Sequence, residues 1–148
     1  MLPEQRIKVM GSIKYYAAPD VRELFENIVT KLGFSHVDCG KISFFRSQGS
    51  KSRYTVARVY GLPRIWQQAL GLEPHYVLEV ISERYDRLTE EEKEKTLIHE
   101  ALHIPRGFQG GFRHHKGNID KRKIDRLHKA YRKCFAASAS QSISVTKH

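Results

Sequence analysis

The residues His99-Glu100-Ala101-Leu102-His103 spell H-E-x-x-H. On an α-helix, residues four apart lie on one face, one turn above the other. Two imidazoles so placed reach a single metal ion through one nitrogen each. Glu100 projects beside them, where it can hold and deprotonate a water. That is the chemistry of a zinc-dependent peptidase, with one Zn²⁺ per chain, His99 and His103 as ligands and Glu100 as general base. The motif is short, so the elements around it must supply the context.

The flanking sequence predicts a helix of about 15 residues that carries the motif in its last turns. Thr89 and Glu92 form a capping box, and Glu90, Glu91 and Glu92 suit the positive end of the helix dipole. Leu97, Ile98, Ala101 and Leu102 make an apolar stripe that can dock on a core. Pro105 stops the helix just beyond His103.

A catalytic zinc usually has three protein ligands and one open position. The spacing H-E-x-x-H-x-x-G-x-x-H is excluded, because Arg106 and Gln109 stand where it needs glycine and histidine. No glutamate follows Glu100. His114 and His115 remain, at the end of a loop in which Gly110-Gly111 gives the backbone freedom to turn back to the metal. Arg113 could assist the oxyanion, or be a surface charge.

The chain has 148 residues, enough for one domain with a core, and a net charge of +10. No apolar run approaches the ~20 residues that span a bilayer, and the N-terminus lacks a signal-peptide stretch. The expectation is a cytoplasmic, non-membrane, monomeric protein. Cys39 and Cys134 are too few for a disulfide framework and form no C-x-x-C pair. Between Arg113 and Lys133, nine basic residues face only Asp120 and Asp125, a net of +7. Lys121, Arg122, Lys123, Arg126 and Lys129 within it are candidate contacts to nucleic acid, or simply a solvated helix face.

The rest of the chain reads as α+β. Asp20 and Glu23 form a second capping-box pattern, followed by Val21, Leu24, Phe25, Ile28 and Leu32 at helical spacing and by Gly33 as a stop. His36–Arg46, with Gly40 as a bulge, and Arg53–Tyr60 read as strands of an antiparallel hairpin. Arg64–Leu70 is a short helix closed by Gly71. His75–Tyr85 is a third strand, whose segment Tyr76–Ile81 is either a substrate-pairing edge or a core strand. Gly107–Gly117 is a loop. Ile119–Phe135 is the basic helix, with Ile124, Leu127, Tyr131 and Cys134 inward. The predicted architecture is one domain, residues 1–135. It has a small, mainly antiparallel three-stranded sheet, an N-terminal helix, a metal-binding helix and a C-terminal basic helix. A flexible tail follows, residues 136–148.

From Val37 to His115 the chain resembles the group known as the putative phage/archaeal metallopeptidase family, made of minimal zincin-like domains. The resemblance rests on Arg46-Ser47-Gln48-Gly49-Ser50 with Arg53, and on Gly61-Leu62-Pro63-Arg64-Ile65-Trp66. It continues through Tyr76–Ile81, Leu97–Pro105 and Phe108–Arg113 followed by histidine. It implies a single-domain metallopeptidase with zinc on the H-E-x-x-H residues and on a downstream histidine. The family pattern favours His115, with His114 as the alternative. That pattern often has proline at the position of His114 and lacks Lys116. A looser similarity to SprT-like proteases, which act on DNA-bound proteins, lies in a late histidine ahead of a packing helix. Here the run is His115-Lys116-Gly117. The implied substrate is a peptide or protein. The other function class is a metal-stabilised binding module, an inactive scaffold acting through the basic helix. Glu100 separates the two, because a structural site needs no unliganded carboxylate.

Overall fold

A computed structural model describes residues 12–111 and 119–145. Its elements are β1 (Lys14–Ala17), α1 (Pro19–Leu32), β2 (Ile42–Gln48), β3 (Ala57–Gly61), α2 (Arg64–Leu70), β4 (Tyr76–Ile81), α3 (Ser82–Tyr85), α4 (Glu90–Leu102) and α5 (Lys121–Val145). The class is α+β, as expected. The sheet differs from the expected one: it has four strands and is mixed, in the order β1-β2-β4-β3.

β2 and β3 do not form a hairpin. β4 lies between them, parallel to β2 and antiparallel to β3. The reason lies in β4 itself, where Tyr76, Leu78, Val80 and Ile81 are all buried. So apolar a strand is stable only with a neighbour on each side. Tyr76–Ile81 is therefore an internal strand, and the open edge belongs to β3. β1 gives no strand signal because all four of its residues are exposed and none alternates. It pairs antiparallel with β2 all the same.

Several boundaries also shift. Gly40 sits in a 3-10 turn, Cys39–Lys41, whose start is capped by Asp38 accepting from the Gly40 N–H at 3.0 Å. β4 stops at Ile81 and the chain turns into α3. The cap of α1 is Ala18, with Pro19 in the first turn and no side-chain cap bond. Asp20 has another partner: Arg46 grips it with two bonds of 2.8 and 3.0 Å, and grips Asp86 at 2.7 Å. That clamp ties α1 and the segment after α3 to β2, and it holds the Asp20 carboxyl below its ordinary range. The helix expected to end at Phe135 runs on to Val145, across most of the expected tail.

One face of the sheet carries the core. Ile42, Phe44, Leu78, Val80 and Val59 meet Val21, Phe25 and Ile28 of α1 and Leu97, Ile98 and Ala101 of α4. Tyr131 and Ile119 close it from the side of α5. The other face, with Tyr15, Phe45, Val77 and Tyr60, bounds an open hollow. Among the described residues, no helix is long and apolar enough to cross a membrane.

Candidate active site

The H-E-x-x-H run lies at the end of α4, within the helix that the flanking sequence predicts. Thr89 caps the helix, its hydroxyl accepting from the Glu92 N–H at 3.2 Å. The acidic first turn follows, and Leu97, Ile98, Ala101 and Leu102 are buried. α4 ends at Leu102, and His103 keeps a helical backbone as its C-cap. The imidazole of His103 thus stays one turn above that of His99. Their Nε2 atoms are 3.1 Å apart. Two nitrogens at an ordinary zinc–nitrogen distance of ~2.0–2.1 Å from one ion are separated by about this much. Ligand atoms of His99, Glu100 and His103 all lie within 4.8 Å of one another.

Glu100 is 7% exposed and His103 3%. The Glu100 carboxylate has no hydrogen bond or ion pair among the described residues, and burial lifts it to about 8. A buried carboxylate without a cationic partner is costly unless it is neutral or faces a cation. The donor set of two neutral nitrogens beside such a carboxylate fits zinc.

The three residues form one wall of a cleft of about 530 Å³. Thr96 extends that wall, and the segment Tyr54–Tyr60 forms the other. Most of that second wall is the β3 edge. Backbone bonds fix which groups point outward. Ile81 donates to the Val56 carbonyl at 2.8 Å and Leu62 to the His75 carbonyl at 2.9 Å. By the alternation of an antiparallel ladder, Val56, Arg58, Tyr60 and Leu62 turn their N–H and C=O toward β4. Ala57, Val59 and Gly61 turn theirs away from the sheet.

At the Gly61 end the edge is closed by the loop that follows α4. A Cβ on Gly61 would lie 2.5 Å from the Gly110 carbonyl oxygen, and one on Gly110 would run into the Leu62 carbonyl. Gly110 also has φ +93, which favours glycine. The Tyr76 hydroxyl accepts from the Gly110 N–H and donates to the Gly111 carbonyl, both at 2.9 Å. Gln67 donates to the carbonyls of Leu62 and Gln109 at 2.8 and 3.0 Å. The loop thus departs from a fixed point beside the cleft. Motif and spacing do not single out Tyr76, Gln67 or the approach of Gly61 to Gly110. Their only trace in the sequence is that Gly61, Tyr76 and Gly110 fall inside the separate blocks that carry the family resemblance, with Gln67 one residue beyond the first of these.

Arg113, His114 and His115 lie outside the described residues. Lys121, Arg122, Arg126 and Lys129 are exposed on α5, and Lys123 is half-buried beside Arg106 and His36 in a separate hollow. The structure does not bring these α5 residues into the cleft. On its inner side α5 holds buried His128, whose Nε2 is 2.8 Å from Oε1 of buried Glu94 on α4. Arg132 donates to the same oxygen at 2.8 Å.

No curated protein and no solved structure matches the chain. A family model described as "Putative phage metallopeptidase" matches residues 13–132, which include α4, the edge strand and the loop clamp. This chain belongs to that family, whose name implies a metal cofactor and a hydrolase.

Proposed function

We propose that the protein is a zinc-dependent peptidase that hydrolyses peptide bonds with Glu100 as general base. His99 and His103 would hold the ion, with His115, or alternatively His114, as the third ligand. When bound, zinc supplies a Lewis acid that polarises a peptide carbonyl and lowers the pKa of a water. The chain's own residues do the rest. Glu100 takes a proton from the water as it adds to the carbonyl carbon, and returns it to the amine nitrogen as the C–N bond breaks. Burial disfavours the charged carboxylate, and a cation held beside it would favour the ionised, proton-accepting form. The outward N–H and C=O groups of Ala57 and Val59 pair with an extended substrate, which lays the scissile bond along α4.

The observation that carries this reading is a buried carboxylate with no partner among the described residues, beside two imidazoles whose nitrogens are 3.1 Å apart, on the wall of an open cleft. A structural metal site has no use for Glu100. Outside the cleft, the exposed basic side of α5 supports nucleic acid as an accessory partner.

Metal analysis and a protease assay test the reading together. Wild type should carry about one Zn²⁺ per chain and cleave an unfolded protein such as casein. His99→Ala and His103→Ala should each lose the ion and the activity. Full metal content in either variant, or no hydrolysis by the zinc-loaded wild type, overturns the proposal.

A further inference from the structure

The second wall of the cleft carries one fixed positive charge. Among its described lining residues, only Arg58 is always cationic. Arg58 is exposed, on the edge strand, midway between the outward-facing backbones of Ala57 and Val59. Its register partner across the sheet is Glu79. The two form no ion pair within 4.0 Å, because Glu79 is otherwise engaged. Glu79 is 4% exposed and accepts from the Tyr60 hydroxyl at 2.7 Å. The Arg58 guanidinium is near enough to the same hydroxyl to oppose the upward push that burial and Glu79 give it. Tyr60 is therefore tied to a buried acid, with the guanidinium beside it on the same face of the strand.

Strand geometry gives Arg58 a target. In a peptide paired with Ala57 and Val59, side chains alternate between the two faces of the extended sheet. The residues opposite Ala57 and Val59 point toward α4 and the histidines. The residue between them lies directly opposite Arg58 and on the same face as its side chain. Cross-strand partners in such a position have Cβ atoms ~5 Å apart and favour opposite charges.

We infer that Arg58, positioned by Tyr60, forms an acidic-residue subsite, so that the substrate strand carries Asp or Glu opposite it. This inference rests on the peptidase reading for the path of the substrate. It does not rest on catalysis, since strand pairing precedes bond cleavage. The preference is modest in size, because Arg58 is open to solvent on one side, and it weakens with salt.

The test uses zinc-loaded Glu100→Gln protein and a set of fluorescein-labelled extended peptides in which Glu, Gln or Lys is placed in turn at each position. Anisotropy should reveal one position where Glu binds about two- to fivefold tighter than Gln, with Lys weaker than both. Adding Arg58→Ala should erase the difference, and adding Arg58→Glu should reverse it in favour of Lys. Adding Tyr60→Phe should narrow the ratio without reversing it. Circular dichroism confirms that each variant is folded. A Glu preference that persists in the Arg58→Glu protein overturns the subsite, as does the lack of any charge preference in the parent. Cleavage of the same peptides by wild type separates the two claims. Charge-selective binding with no cleavage sinks the peptidase reading and keeps the subsite. Cleavage with no charge preference at any position keeps the reading and sinks the subsite. Neither binding nor cleavage overturns both.

Discussion

Helix α4 carries two buried glutamates six residues apart, and they live in opposite surroundings. Glu94 is 6% exposed and Glu100 7%. Glu94 receives His128 and Arg132 from α5, both at 2.8 Å. Glu100 receives nothing among the described residues, and burial alone lifts its carboxyl to about 8. Burial is therefore not what separates a structural acid from a chemical one. The partners are. A paired carboxylate has its charge balanced and serves to fix α5 on α4. One with no partner among the described residues has its lone pairs open to the water or cation that the proposed chemistry requires.

The largest expected effect breaks the comparison at Glu100. Glu100→Gln should lower peptide hydrolysis by about 10²–10⁴-fold, the usual worth of a positioned base. Zinc content and thermal midpoint should hold, because no protein partner is lost. Loss of the fold in this variant would mean that Glu100, like Glu94, is a structural acid.

The reverse pattern is expected at Glu94. Glu94→Ala strands His128 and Arg132 and should destabilise the protein by about 3 kcal/mol, the scale for breaking a buried pair. Hydrolysis per folded molecule should stay near wild type. Urea denaturation gives the first quantity, and an activity assay at saturating zinc and low temperature gives the second. A stable but inactive Glu94→Ala protein would show that the clamp positions the motif rather than the helix pair.

Cys39 extends the comparison to a thiol. Burial, then the neighbouring Glu26, push it up to about 11, against the opposing pull of Arg22. The thiol form is thus favoured at neutral pH, and the thiolate appears only as pH climbs toward that value. In a Cys134→Ser background, labelling by an aromatic disulfide reagent at pH 8 should be about tenfold slower than for an ordinary thiol. The thiolate is scarcer by two powers of ten, and its higher basicity returns roughly one of them. The rate should still be rising about tenfold per pH unit at pH 10. A plateau below pH 9 would show that partners, not burial, set this group.

The two glutamates also mark what a sequence can disclose. His99, Glu100 and His103 sit within five residues, so helical geometry alone assembles them, and Thr89 and Pro105 bound the helix from nearby. The same locality exposes the stripe of α1. Contacts between distant residues leave no such mark. Glu94 reads as one more acid in an acidic helix until His128 arrives from 34 residues away. Asp20 reads as a cap, yet Arg46, distant in sequence, takes it. Tyr76 reads as a strand residue, though its hydroxyl anchors the loop after the motif. The order of the sheet is hidden for a related reason. Alternation within a strand says which face is buried, and nothing about which strand lies alongside.

The two sides of α5 supply the smallest test. Its inner side is spent on Glu94 and on the core through Tyr131. Its outer side carries Arg122, Arg126, Lys129 and Lys133, all exposed, at spacings of four, three and four. Those spacings set the four charges in one stripe roughly 16 Å long at 1.5 Å per residue. Lys121 flanks the stripe, whereas Asp125 pairs with Lys95 of α4 at 3.2 Å. A stripe of this kind suits a phosphate backbone and offers no means of reading bases. Binding to duplex DNA should therefore be indifferent to sequence and should fall steeply with salt. Replacing Arg122, Arg126 and Lys129 with Ala should reduce the slope of log K against log salt by about two to three, at ~0.9 for each phosphate no longer neutralised. Zinc content and stability should not change, since none of the three touches the Glu94 clamp. No binding at ~50 mM salt, where non-specific electrostatic binding is strong, would leave the stripe as a solvated surface. An unchanged slope in the triple variant would place the DNA on another part of this basic chain.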